Sequence, residues 1–166
     1  MGNVVVTAGP AVEVVSVSAV RAHCRIVGPD DDCLLAAYIR TAREEAETLT
    51  ERLFGEQTLR LTMTAFHGAE IELPRPPIAS VTSIAYRVVA GTWQTISPST
   101  YDVDLEGDPS AVRPKTAWPA DVWPGGGTIV RVIYQAGATA CPEAVKAYIC
   151  MRAASLYEHR EADAEK

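Results

Sequence analysis

Apolar or small residues recur at Leu35, Ile39, Ala42, Ala46, Leu49 and Leu53, in steps of four and three. That spacing keeps one side of an α-helix apolar, and Leu34 and Tyr38 widen the stripe. Arg40, Arg43, Glu44, Glu47 and Glu51 fall on the other face, so the pattern predicts a two-faced helix from about Asp31 to Phe54, closed by Gly55. Asp30, Asp31 and Asp32 precede it, supplying a cap and negative charge where the helix dipole favours it. About 24 residues at 1.5 Å each would give a rod of roughly 35 Å. Ala42 and Ala46 would let another backbone approach it closely at mid-length.

Shorter patterns flank this helix. Ser16 or Ser18 caps a first helix through Ala19 to Cys24, which Val27, Gly28 and Pro29 stop. From Thr58 to about Gln135 the period falls to two and breakers crowd in. Strands are predicted at Thr58–Thr64, Ala69–Leu73, Val81–Val89, Trp93–Ile96, Tyr101–Leu105 and Thr128–Tyr134. Loops are expected through Pro74–Pro77 and through Pro109, Pro114 and Pro119. A last helix starts at Pro142 and runs to about residue 160, with Val145, Ile149 and Leu156 on one side and Tyr148 and Ala153 beside them. The class is α+β: an N-terminal helix pair packs with the C-terminal helix, and an antiparallel strand-rich insertion lies between them. As one domain this divides into an extended arm (1–15), helices (16–55), an insertion (58–135), a helix (142–160) and a polar tail (161–166).

Composition narrows the function. With 166 residues and 48% hydrophobic content, a core forms without disulfide or metal staples. A net charge of −6 argues against sequence-independent nucleic-acid binding, although like charge suits a surface that DNA passes without sticking. No membrane span is expected, since Gly9, Pro10, Glu13 and two serines break the apolar opening stretch, which lacks a preceding basic region.

Chemistry-bearing residues do not converge. Cys24, Cys33, Cys141 and Cys150 form no C-x-x-C pair and read as reduced, small hydrophobes. His23, His67 and His159 sit in different elements, and Cys24 points about 100° away from His23 on a helix. Gly125, Gly126 and Gly127 feed a strand, whereas a phosphate loop feeds a helix. Asp102 and Asp104 share a strand face with nothing to enclose them. No catalytic residue, cofactor or metal is expected. Trp93, Trp118 and Trp123 read as plugs of loop against sheet or, alternatively, as contacts with a partner.

Four stretches in order carry a resemblance: Ser16–Ile26, Asp30–Ile39, Ile71–Ile84 with its Pro-rich turn, and Cys141–Glu161. Together they resemble the head–tail connector, or adaptor, proteins of long-tailed bacteriophages and gene-transfer particles. Cys24 and Cys33 depart from the pattern, where an aliphatic or polar residue is usual. The resemblance implies a non-enzymatic subunit of a ring, twelvefold by expectation, in the particle neck and assembled in the bacterial cytoplasm. Its partners would be the portal protein, a tail-side stopper or terminator protein and identical subunits, with DNA passing through unbound. It also implies that the last helix docks on the portal, which makes Tyr148, Arg152, Tyr157, Glu158, His159 and Arg160 the interface candidates. Ala42 and Ala46, with Arg43 and Glu47, are the seam candidates. A tail-completion or terminator ring, a small ligand-binding domain and a generic interaction module are the alternatives.

Overall fold

A computed structural model of the chain describes residues 2–125 and 127–159. It divides into two compact units. The strand-rich unit holds residues 2–10 and 56–137, and the helical unit holds residues 11–55 and 138–159.

In the helical unit, α1 (Val17–Cys24), α2 (Asp32–Thr50) and α3 (Glu143–Glu158) share one core. Val15, Val20, Leu35, Ile39, Ala42, Ile149 and Ala153 are its buried centre. The Ser16 side chain caps α1 by accepting from the Ala19 amide at 3.2 Å. The helix ends at Arg25, in the left-handed region at φ 55°, ahead of the expected Gly28–Pro29 stop.

The expected 24-residue rod is shorter. Its 19 residues span about 28 Å, and it ends where Glu51 turns left-handed at φ 55°, not at Gly55. The physical reason is tertiary. Leu53 and Phe54 are buried off the helix, where Leu53 accepts from the Ala138 amide and Ala138 accepts from the Gly55 amide. Leu49, expected in the apolar stripe, is therefore on the outside and 74% exposed. Asp31 occupies the cap position but makes no side-chain capping bond; it accepts from the Tyr157 hydroxyl at 2.5 Å, while Asp32 pairs with Arg21.

The strand-rich unit contains two antiparallel sheets. The larger has the order β1 (Asn3–Ala8), β2 (Gln57–Met63), β8 (Val130–Ala136), β4 (Ile78–Arg87), β5 (Trp93–Thr95). The smaller has the order β3 (Ile71–Glu72), β7 (Ala111–Pro114), β6 (Tyr101–Asp104). Strict alternation buries Leu59, Leu61, Val132, Tyr134 and Ile84 on one face of the large sheet. Tyr134 donates to the Pro74 carbonyl at 2.8 Å and Leu73 to the Ser110 carbonyl at 2.8 Å, which tie the Pro-rich turn into the unit.

The extended arm expected at 1–15 is built into both units: Asn3–Ala8 pairs with β2 from Asn3↔Thr62 to Ala8↔Thr58, and Val15 enters the helical core. The loop expected through Pro109 and Pro114 contains a strand, β7. Pro114 is tolerated as its last residue because β3 pairs only with Ala111 and Val112.

Candidate functional site

The proposed seam residues lie in the interior of the helical unit. Ala42 and Ala46 belong to its core, and Arg43 and Glu47, expected on a solvated face, are each only 3% exposed. Arg43 donates to Glu47 at 2.8 Å and to Glu13 at 2.9 Å, and Glu47 accepts from the Phe54 amide at 3.0 Å. Burial alone would lower the Arg43 pKa, but its hydrogen bonds and charge contacts with Glu13 and Glu47 outweigh that and raise it. These groups hold the segment before α1 and the turn after α2 to the middle of the helix. In the single chain these four seam candidates are buried and spend their contacts on its own elements.

The portal-interface candidates divide. Tyr148 packs half-buried against the helical core, Tyr157 is bound to Asp31, and Arg152 forms a two-pronged ion pair with Glu45 at 2.6 and 3.0 Å. That hydrogen bond holds the Glu45 carboxyl below its ordinary value and raises the Arg152 guanidinium. Glu158 and His159 are exposed. Arg160 lies outside the described residues.

Sequence reasoning missed the residues that α3 turns outward. Ala144, Ala147 and Met151 are exposed in steps of three and four, and Met151 is 57% exposed. The signal was available in the pattern: α3 is apolar around its circumference, which marks a helix with a second face to cover. Glu143, tied to Lys146 at 2.7 Å, and Glu158 bound this face along the helix.

Nucleophile and metal chemistry find little here. The four cysteines are free, and burial raises the thiol pKa of Cys24, Cys141 and Cys150 and so disfavours the thiolate. Among the described residues no cluster of three His, Cys, Asp or Glu side chains could hold a metal ion, and no helix is long and apolar enough to cross a membrane. Trp118 and Trp123 act as plugs, Trp118 stacking on Phe66 at 4.9 Å and Trp123 lying beneath Arg87 at 5.3 Å, whereas Trp93 is 40% exposed.

In the helical unit polar side chains tie its own elements together, while Ala144, Ala147 and Met151 of α3 face solvent. The family model for "Phage gp6-like head-tail connector protein" matches residues 14–96. The chain belongs to that family of head–tail connector proteins. Among solved structures, a chain from the neck of an empty gene-transfer-agent particle, computed with C6 symmetry, aligns at TM-score 0.82 and 22% identity, covering 98% of this chain and 87% of that one. A chain from the virion of a native gene-transfer-agent particle aligns at TM-score 0.78 and 23% identity, covering 98% and 88%. A chain from the neck of a native particle, computed with C12 symmetry, aligns at TM-score 0.68 and 25% identity, covering 100% and 87%. No curated protein matches the sequence.

Proposed function

We propose that the chain is one subunit of a ring in the neck of a phage or gene-transfer particle, joining the portal to the tail-side neck protein. Family membership and the neck structures computed with C12 and C6 symmetry support the ring, for which twelve copies is the natural number. The net charge of −6 suits a channel through which DNA moves without adhering. The ring assembles in the bacterial cytoplasm.

The portal contact is the outer face of α3. The observation that carries this is the exposure of Met151 in line with Ala144 and Ala147, an apolar stripe on a helix already packed on its other side. Glu158 and His159 extend the contact at the end of the helix. Small residues permit close approach, and a flexible methionine fills the remaining gap. Met151→Glu with Ala147→Glu should leave the circular-dichroism spectrum unchanged and reduce co-sedimentation with portal-bearing capsids at least tenfold. Undiminished binding by the folded variant would overturn this assignment.

A further inference from the structure

A closed ring is built from a heterologous contact, so each subunit must carry two different and complementary patches. The strand-rich unit segregates charge in a way that supplies both. The register of the large sheet places Arg131 opposite Thr62, and Arg60 two positions further along the same strand, so the two arginines are diagonal neighbours on the face opposite the buried one. Neither has a carboxylate within ion-pair distance among the described residues, and the Nε of each is buried without a hydrogen-bond partner. Arg131 stacks at 4.4 Å on Trp93, which stands on the edge strand β5 and is 40% exposed. This is a cationic and aromatic projection with no countercharge of its own.

The small sheet carries the opposite feature. Asp102, Val103, Asp104, Leu105, Glu106 and Arg113 line a cleft of 490 Å³. Val103 and Leu105 expose apolar surface within it. Asp104 is held low in pKa by Arg113, which also pairs with Glu70, and Asp102 faces Lys115 at 3.5 Å. Glu106 has no ion-pair partner among the described residues. A cleft lined by both carboxylates and aliphatic side chains suits a guanidinium stacked on an aromatic ring.

We propose that neighbouring copies meet through their strand-rich units, the Trp93–Arg131 stack and Arg60 of one copy entering the Asp102–Glu106 cleft of the next. The occupant is a second copy, because the two surfaces match in sign and in apolar content. The inference rests on the ring reading above, and the test separates the two. Arg131→Glu alone and Glu106→Arg alone should each lower the number of copies per particle at least tenfold, and the two together should restore at least half of it. In a Cys33→Ser background, Thr95→Cys with Val103→Cys should give a ladder of linked copies when particles are oxidised with copper phenanthroline, and neither change alone should. The cross-linking pair decides the matter if a charge variant fails to fold. Particles that contain the chain but give no ladder, or folded single reversals that incorporate at the parent level, would overturn the seam. Particles made with the unaltered chain whose necks lack it altogether would overturn the ring itself.

Discussion

Arg43 shows how much of the helical unit depends on one charge. Its guanidinium is buried between Glu13 and Glu47, and the Glu47 carboxylate also receives the Phe54 amide. Removing the cation takes the guanidinium away from the buried Glu47 carboxylate and the half-buried Glu13, the costly way to break such a network. Arg43→Met is expected to lower unfolding free energy in urea by about 3 kcal/mol; a loss below ~1 kcal/mol would show that the network is incidental. Gly125 is a second sensitive position, for steric reasons. A Cβ there would lie 2.1 Å from the Trp123 Nε1, and Trp123 is fixed by its backbone bond to Arg87 at 2.7 Å and by the guanidinium above its ring. Gly125→Ala should therefore cost roughly 1–3 kcal/mol and shift the tryptophan emission. An unchanged melting temperature and spectrum would contradict that packing.

Whole elements depart from the sequence pattern where distant partners override local preference. Helical spacing continues through Leu53, yet α2 stops at Thr50, because Leu53 and Gly55 bond Ala138 instead. Nothing near position 53 could announce a partner so far along the chain. The same holds for β1: its valines favour a strand, but its complement is Thr58–Thr62, fifty or more residues away. What was legible was local: the Ser16 cap, the start of α2, the alternation of β2 and β8, and the placement of Leu35, Ile39 and Ile149 in the core. The candidate site was less legible, since charge on a helical wheel does not reveal burial, as Arg43 and Glu47 show. At this scale the tie between α2 and α3 also predicts a pH dependence. Arg152 lowers the Glu45 pKa below its ordinary 4.5, so the pair's stabilisation is present above that value and is lost as pH falls through the folded-state value. Melting temperature followed from pH 6 to about pH 3 should fall, and Glu45→Gln should flatten part of that fall. A parallel profile in the variant would show that the pair contributes nothing.

At the scale of the whole molecule, two compact units carry different surfaces. The helical unit offers the Ala144–Met151 face of α3, and the strand-rich unit offers the arginine face and the acidic cleft. A connector needs contacts along the particle axis and contacts around the ring, and in the proposals above these surfaces are assigned one to each. The net charge of −6 suits the proposed channel better than it suits nucleic-acid recognition. The direct test of this account is to image the necks of particles produced with and without the chain. The account predicts a closed ring of this fold between portal and tail when the chain is present, and tailless capsids when it is deleted. Tailed particles of normal neck density made in its absence would contradict it.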